Sequence, residues 1–296
     1  MARSLARTAE SYRVAPGKRF RIASCDPADA GGLDISKKKA NAMLAAGVEK
    51  LSDLQTRLYA QDRWSLLLVF QAMDAAGKDS TIKHVMSGIN PQGCQVVAYK
   101  APSSQELDHD FLWRCARDLP ERGRIGIFNR SHYEEVLVVR VHSKILAGQH
   151  LPPALVGKDI WKQRYESIND FERHLAVNGT RILKFFLNVS KEEQRKRFLE
   201  RLDVPEKNWK FSLGDVLERG FWNDYMRAYE DAISATSTEW APWYAVPADH
   251  KWFTRLVVAQ VVVDTLEKLG LEYPKVDAKR KMELAEARKA LEKEKG

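Results

Sequence analysis

The sequence predicts an α/β protein in which five parallel strands form one doubly wound sheet with helices on both faces. Short apolar segments alternate five times with longer amphipathic ones, at spacings that suit right-handed crossovers. The first apolar segment, residues 66–70, is an unbroken run, as expected for a strand covered on both faces. It leads directly into a turn of small residues that ends in Gly77 and Lys78, which is typical of a phosphate-binding loop.

The other elements follow from apolar periodicity and from turn residues. Apolar runs predict the remaining four strands at residues 94–101, 124–130, 180–190 and 243–249. Apolar residues recurring every three to four positions predict helices at residues 35–61, 78–87, 105–118, 157–178, 221–237 and 252–269. Ser103 with Glu106, and Ser190 with Glu193, have the spacing of capping boxes at helix starts. Residues 132–142 have both strand and helix preferences, and the alternating topology favours a helix.

Three segments lie outside this alternation. Residues 1–34 contain two prolines and a Gly-Gly pair with little periodicity, so we expect an irregular N-terminal arm that packs on the body or on a neighbouring subunit. Residues 35–273 are expected to form a single domain, in which the charged segment 203–220, broken by proline and glycine, is typical of a lid or an excursion from the body. Residues 274–296, rich in Ala, Glu, Lys and Arg, predict a charged helical tail.

The composition indicates the cellular compartment of the protein and the class of partner that it binds. Forty-eight Lys and Arg against forty Asp and Glu give a net charge of +8, which favours an anionic partner such as a nucleotide, polyphosphate, nucleic acid or membrane surface. The three cysteines include no C-x-x-C pair, which fits a reducing compartment. No apolar run approaches the roughly 18 residues that span a bilayer. We therefore expect a cytoplasmic protein without a membrane partner.

The small-residue turn matches the phosphate-loop pattern G-x-x-x-x-G-K-[ST] in part. Gly77 and Lys78 fit, whereas Ala72 replaces the first glycine and Asp79 replaces the hydroxyl residue, with Ser80 one place later. The alternative is an ordinary strand-to-helix turn with a solvated lysine.

Residues inside this turn could bind an anion and orient a metal ion. Ala75 and Ala76 have almost no side chain, so backbone N–H groups could wrap closely around phosphate. Asp74 could orient Mg²⁺ or accept a proton, and it could equally be a local cap of the turn.

A second polar group follows the third predicted strand. Asn129 and Arg130 end this strand and Glu134 and Glu135 follow it, at the place where open α/β sheets bind their ligands. An arginine at this place can bind an oxyanion through two hydrogen bonds, or it can form an ion pair with one of the glutamates.

A third group combines the helix after the fourth strand with the predicted lid. Arg197 and Arg201 lie four residues apart and share a helix face, and the lid adds Lys207, Trp209 and Lys210. These cations could close over a polyanion, or they could form a solvated charged face. The tryptophan among them is also compatible with base stacking.

Together, these residues resemble the polyphosphate kinase 2 family from about residue 12 to residue 273. The resemblance depends on six segments, residues 71–79, 88–93, 127–142, 184–202, 205–212 and 236–252. It implies a thymidylate-kinase-like P-loop kinase core with a helical lid. It also implies dependence on Mg²⁺, with Mn²⁺ as an alternative, and assembly into a homodimer or homotetramer.

The residue patterns and the resemblance together imply roles for individual residues. Those expected to be catalytic are Asp74, Lys78 and Arg130. Those expected to bind phosphate or nucleotide are Ala75, Ala76, Gly77, Asp79, Ser80, Asn129, Arg197, Arg201, Lys207 and Lys210. Many members have Asp where this chain has Asn129, so the metal is expected to rely on Asp74 and on Glu134 or Glu135.

The activity that the resemblance implies is reversible transfer of the terminal phosphoryl group of polyphosphate to ADP, AMP or both. ATP is then a product or a substrate, and guanine nucleotides are further candidate acceptors. The form with Asn129 resembles the subgroup that accepts both mono- and diphosphates. Two alternatives remain open, an ATP-dependent kinase of a small metabolite and a non-catalytic polyanion-binding module. We expect no nucleic-acid partner.

Overall fold

The computed structural model describes residues 2–294, and of residues 2–4 and 210 it describes the backbone alone. Within this part of the chain, one parallel sheet comprises β1 (Ser65–Gln71), β2 (Cys94–Ala98), β3 (Ile125–Asn129), β4 (Thr180–Asn188) and β5 (Trp243–Pro247). The strands pair in the order β2-β3-β1-β4-β5, and all four pairings are parallel. The five predicted strands and their parallel arrangement are confirmed.

The helices connect and cover these strands. In chain order they are α1 (Ala2–Ser11), α2 (Lys37–Gln61), α3 (Lys78–Val85), α4 (Ser104–Leu107), α5 (Trp113–Arg117), α6 (Val138–Val141), α7 (Ser143–Ala147), α8 (Ile160–Val177), α9 (Lys191–Asp203), α10 (Leu213–Glu218), α11 (Trp222–Thr236), α12 (Lys251–Lys268) and α13 (Ala278–Lys293). Short 3₁₀ segments include His132–Val136 and Pro205–Lys210. None of the helices in residues 2–294 is both long enough and apolar enough to cross a bilayer.

The core lies between the sheet and two sets of helices. Every residue of β1 is buried, which explains the unbroken apolar run in its sequence. Helix α12 packs against α1, α2 and α3, while α8 packs on β4 and against α11. The prediction of one continuous helix at 105–118 is wrong, because the structure has two short helices there, α4 and α5. In the turn between them the Asp110 carboxylate accepts a hydrogen bond from the Leu112 N–H.

The N-terminal arm is more regular than the sequence suggested. The expectation of an irregular arm is wrong for residues 2–11, which form α1 because Leu5 and Ala9 lie four residues apart and are buried on one face. The arm packs on the body, as one of the two expected arrangements. Beyond α1 it runs along the outer edge of β5, where the Val14 N–H donates to the Trp243 carbonyl at 2.8 Å and the Ala245 N–H to the Tyr12 carbonyl at 2.9 Å.

The strand order places the turns after β1, β3 and β4 next to each other. β1 lies at the centre, and the chain leaves it towards β2 and β3 on one side before crossing to β4 and β5 on the other. A crevice forms at such a switch point, outside the carboxyl ends of the strands. The turn after β1 therefore lies beside the residues that follow β3 and β4.

Candidate active site

The turn after β1 has the backbone of an anion-binding loop. Ala75 has a φ of 60° and Gly77 a φ of 106°, so both lie in the left-handed region. The conformation at Gly77 requires glycine, although a Cβ atom there would meet only Arg197 at an ordinary distance of 3.8 Å. Helix α3 then begins, with the Thr81 N–H donating to the Gly77 carbonyl at 2.9 Å. The helix N-terminus thus opens onto the loop.

Side chains donate hydrogen bonds to the carbonyl groups of this loop. Arg197 Nη1 donates to the carbonyls of Ala75 and Ala76 at 3.0 and 2.8 Å. Gln194 Nε2 donates to the Asp74 carbonyl at 2.8 Å. The backbone N–H groups of Ala75 and Gly77 have no acceptor among residues 2–294. These two backbone donors are therefore free to bind an anion.

Lys78 and Arg130 supply the charge at the centre of the crevice. The Lys78 ammonium group is buried and donates to the Ala72 carbonyl at 2.8 Å. Burial lowers the pKa of Lys78, and the nearby charge of Asp74 opposes that shift. Arg130, which has a φ of 66°, donates to Asp74 Oδ1 at 3.0 Å and approaches Glu134 Oε2 at 3.4 Å. Three of the predicted residues, Asp74, Arg130 and Glu134, therefore form one cluster.

The start of α3 is connected to two neighbouring elements. Asn129, at the end of β3, donates through Nδ2 to Asp79 Oδ1 at 2.7 Å. Ser80 Oγ accepts a hydrogen bond of 2.7 Å from Arg255 Nη2 of α12. Asn129 thus uses its amide to hold a carboxylate, a contact that an aspartate at this position could not make.

These residues border one large cavity, which we call the groove. Its volume is about 850 Å³, within the range of small-molecule sites. The loop and the residues after β3 form one wall, and α9, the lid segment 203–220 and the start of α12 form the other. The cations that line it are Lys78, Arg130, Arg197, Arg201, Lys207 and Lys251.

Two of the basic side chains on this wall of the groove lie close to carboxylates. Arg201 Nη1 lies 3.9 Å from Asp215 Oδ2, and Lys207 Nζ lies 2.5 Å from Glu200 Oε1. Burial, followed by the charge of Asp74, raises the pKa of Asp215. The side chain of Lys210 lies outside the described part of the structure. The basic cover predicted from the sequence therefore also contains carboxylates.

Arg197 lines the groove, but its donors already have acceptors. Nη2 donates to the carbonyls of Ala248 and Asp249 at 2.7 and 2.9 Å, and Nε donates to Glu193 Oε1 at 2.8 Å. Arg197 therefore joins the turn after β1 to the turn after β5.

The hydrogen bond between Arg197 and Glu193 also changes the predicted capping box at the start of α9. Ser190 accepts from the Glu193 N–H, while the Glu193 carboxylate binds Arg197 and not the Ser190 N–H.

The predicted metal ligands do not all lie together. Glu135 is buried in another cluster, where its Oε2 atom accepts from Arg164 at 3.1 Å and from Gln149. The assignment of Glu135 to the metal site is therefore wrong, because neighbouring residues of a 3₁₀ turn point in different directions. Burial raises the pKa of Glu134, and Arg130 opposes that shift. No group of three or more His, Cys, Asp or Glu side chains within residues 2–294 could hold a metal ion.

Asp74 nevertheless fits a magnesium site of the kind found in phosphoryl-transfer enzymes. It is about one-third exposed and lines both the groove and a smaller cavity of about 140 Å³ that contains Glu134. Magnesium is usually held by one or two carboxylates, with substrate phosphates and water completing its coordination. Asp74 can provide such a carboxylate, and the phosphates would come from the substrate.

Sequence reasoning missed two basic residues near the loop. Lys251 lines the groove and Arg255 binds Ser80, and both lie in the first turns of α12. They follow the last strand and belong to no phosphate-binding pattern. Their spacing of four residues, which places both on one helix face, is the signal that could have found them.

Comparison with known proteins identifies the family. The sequence model described as polyphosphate kinase 2 matches residues 34–273, which is most of the chain. The chain belongs to the polyphosphate kinase 2 family. A crystal structure of polyphosphate kinase 2 from Arthrobacter aurescens is similar, with a TM-score of 0.86 and 43% sequence identity, covering 95% of this chain and 96% of that one. The predicted P-loop kinase fold is thereby confirmed.

Two curated proteins are also similar to this polyphosphate kinase 2 family member. The ADP-polyphosphate phosphotransferase of Rhodopseudomonas palustris is 56% identical over 282 residues, 93% of this chain and 98% of that protein. The AMP/ADP-polyphosphate phosphotransferase of Meiothermus ruber is 47% identical over 265 residues, 90% and 95% of the two chains. The names differ in the nucleotide acceptor, so the family alone leaves the choice of acceptor open.

Proposed function

We propose that this enzyme transfers the terminal phosphoryl group of inorganic polyphosphate to ADP and to AMP, in a reversible reaction. The observation that carries the proposal is that the phosphate loop and a row of additional cations share one groove. Arg201, Lys207 and Lys251 lie along the same cavity as Lys78 and Arg130. A donor with many phosphates needs such an extended row, whereas the loop alone suffices for the phosphates of a nucleotide.

The chain's own groups account for the transfer step. The loop N–H groups and Lys78 bind the terminal phosphoryl group, with Lys78 exchanging its Ala72 carbonyl partner for a phosphate oxygen. Arg130 stabilises the charge on the equatorial oxygens. An oxygen of the nucleotide's last phosphate forms the new bond to phosphorus, and the bond to the bridging oxygen of polyphosphate breaks. Polyphosphate one unit shorter leaves, with its new negative charge facing the lid cations.

A divalent cation is part of this proposal, with Mg²⁺ the first choice and Mn²⁺ the alternative. Asp74 is the residue that would hold it, with Glu134 behind Arg130 as the second carboxylate nearby. When bound, the cation neutralises negative charge on the phosphates of donor and acceptor. Because Asn129 is neutral, the surroundings of Asp74 contain one carboxylate fewer than they would with aspartate at position 129.

The preference for both ADP and AMP is supported by the neutral Asn129. Asn129 adds no carboxylate of its own, and its amide donates to the Asp79 carboxylate, so a nucleotide phosphate meets less repulsion here than it would with aspartate at position 129. The similar protein from Meiothermus ruber is named for both acceptors. Guanine nucleotides are a further candidate, since none of the contacts described above reads a base.

The decisive experiment is an incubation of the purified protein with Mg²⁺ and long-chain polyphosphate, with ADP and AMP in separate tubes. We expect ATP from ADP and ADP from AMP, resolved by chromatography. Product from only one acceptor would restrict the proposal to that acceptor. Transfer from ATP to a small metabolite without use of polyphosphate would favour the metabolite-kinase alternative, and binding without turnover would favour the polyanion-binding module.

A matched pair of variants tests whether the loop carries the activity. Lys78→Ala is expected to lower kcat by about 10²–10³-fold, because it removes a preorganised cation from the transition state. Lys83→Ala removes an exposed lysine of the same helix and should leave turnover unchanged. Near-normal turnover in Lys78→Ala would contradict the assignment.

We also propose a cytoplasmic homodimer or homotetramer without nucleic-acid or membrane partners. The location is supported by Cys25, Cys94 and Cys115, which are free thiols and suit a reducing compartment. The oligomer is supported by resemblance to the family alone. Light scattering across a range of protein concentrations measures the assembly, and a monomer at all of them would contradict the proposal.

A further inference from the structure

A second cavity lies where the N-terminal arm meets β5, and we call it the arm cavity. Its volume is about 470 Å³, and its walls come from residues 11–29 together with Ala245 and Pro247 of β5. Lys18, Arg19 and Arg21 line it. All three are exposed, and none has an ion-pair partner among residues 2–294. These charges are available to an external anion.

A fourth cation lies in the wall of the arm cavity. Arg13 Nη1 and Nη2 pair with Glu10 and Glu239 at 3.4 and 2.8 Å, whereas its buried Nε has no hydrogen-bond partner in the described part of the chain. An unpaired buried donor is unfavourable, and an anion entering the cavity could satisfy it.

The carboxylates in the arm cavity are occupied by local hydrogen bonds. Asp29 accepts from the Tyr12 hydroxyl at 2.6 Å and from the Gly31 N–H at 2.8 Å. Asp26 accepts from the Ala28 N–H at 2.9 Å. Because Arg13 is already paired with Glu10 and Glu239, three unpaired cations face these two carboxylates. The unpaired groups of the lining therefore have an excess of one positive charge.

The turn after β5 contacts residues at both the groove and the arm cavity. The carbonyls of Ala248 and Asp249 accept from Arg197, which lines the groove. The Asp249 N–H donates to the Pro27 carbonyl, one residue from Asp26 in the arm cavity. In the sheet, β5 is two strand spacings from β1 and the arm lies one further out, so the lateral separation is about 15 Å.

We propose that the arm cavity binds a distal part of the polyphosphate chain whose reacting end lies in the groove. This inference rests on the proposed function, because it takes polyphosphate as the donor. A uniform phosphate chain needs only a row of charges to bind it. A nucleotide would also need a stacking surface, and the Tyr12 ring already packs edge-on against Phe253 while its hydroxyl binds Asp29.

The test compares a long polyphosphate with tripolyphosphate, which is too short to reach from the loop to the arm. The variant Lys18→Ala/Arg19→Ala/Arg21→Ala removes the exposed cations. We expect its KM for long-chain polyphosphate to rise roughly tenfold, with kcat unchanged, since three exposed charge contacts are lost. Its KM for tripolyphosphate should stay at the wild-type value.

The matched control is Lys37→Ala/Lys38→Ala/Lys39→Ala, which removes three exposed lysines at the start of α2. It should leave both KM values unchanged. An arm variant with wild-type KM for both donors would overturn the proposal, as would an equal rise for both. A rise confined to the KM for the nucleotide would assign the cavity to that ligand instead and would also overturn it.

A binding measurement separates this inference from the proposed function. Fluorescently labelled long-chain polyphosphate is titrated into each protein, without nucleotide, at several salt concentrations. The arm variant should bind about tenfold more weakly, and its affinity should depend less steeply on salt because fewer counterions are released. If the wild-type protein binds polyphosphate but transfers no phosphoryl group, the proposed function fails. The titration still decides whether the arm cavity binds polyphosphate. Equal binding by wild type and arm variant overturns the inference.

Discussion

Lys78 holds a charge where little water reaches it. Burial lowers its pKa below the ordinary value of 10.5, although the carboxylate of Asp74 opposes that shift. Only the protonated form attracts phosphate. As pH rises, the free enzyme therefore loses this cation earlier than a solvent-exposed lysine would.

This pKa predicts an alkaline limit to activity. We expect kcat/KM for polyphosphate to begin falling at a pH below 10.5, because kcat/KM reports ionisations of the free enzyme. A pH profile measured at constant ionic strength checks this. Circular dichroism at each pH verifies that the fold persists. A profile that stays flat to pH 10.5 would contradict the assignment of Lys78 as the phosphate-binding cation.

Arg197 acts on the loop through backbone carbonyls. Arg197→Ala leaves the carbonyls of Ala75, Ala76, Ala248 and Asp249 without this donor, so we expect a loss of about 3 kcal/mol in unfolding free energy. Urea denaturation measures it. Arg195→Ala, which removes an exposed partner of Glu192 on the same helix, should change stability by about 0.5 kcal/mol or less.

The conservative variant Arg197→Lys separates positioning from direct phosphate binding. Lysine retains the charge, but one ammonium group cannot bridge both turns as the guanidinium does. We therefore expect both Arg197→Ala and Arg197→Lys to raise the KM for polyphosphate, and by nearly the same factor. A wild-type KM in the lysine variant would instead support the direct phosphate contact that the sequence suggested.

At the level of elements, β4 and α8 fix the turn that carries Arg130. Lys184 of β4 is fully buried, and its Nζ lies 2.5 Å from Glu172 Oε2 of α8 and 2.8 Å from the Tyr133 hydroxyl. Tyr133 belongs to the 3₁₀ segment His132–Val136, which begins two residues after Arg130. The buried ion pair thus anchors the segment that also positions Glu134.

A double-mutant cycle tests this anchor. Lys184→Met leaves the buried Glu172 carboxylate without its ammonium partner, so we expect a loss of about 3–5 kcal/mol in unfolding free energy. The double variant Lys184→Met/Glu172→Leu removes both charges and should be more stable than Lys184→Met alone. Chemical denaturation of the four proteins measures the coupling. Additive losses would show that the pair is not a unit.

The elements differ in how well the sequence predicts them, and burial explains the difference. β1 and β4 are apolar because helices cover both faces, and their runs were recognisable. Helix α1 was missed because its apolar face is short. Among its described side chains Leu5 and Ala9 are the buried ones, and a segment with two prolines follows. In the site, Gly77 and Lys78 belong to a local pattern. The contact of Arg255 with Ser80 joins positions 175 residues apart, which no local pattern reveals.

At the scale of the whole molecule, the sheet has two edges with different surroundings. β2 is one edge, and its Val96 side chain is about half exposed. β5 is the other, and the arm covers it through the backbone bonds of Tyr12 and Val14. An uncovered edge strand offers unpaired backbone groups to another chain, so the arm protects β5 from edge-to-edge association.

Removal of residues 2–14 tests this protection. It deletes the cover of β5 and the packing of Leu5 against Leu256 of α12, so we expect a lower Tm and concentration-dependent aggregation. Differential scanning calorimetry and light scattering measure the two effects. Removal of residues 277–296 is the control, because every described side chain of α13 is exposed and the Tm should not change. If the arm deletion remained monodisperse with an unchanged Tm, the body would fold and stay soluble without this cover, and the arm's remaining task would be the binding of ligand.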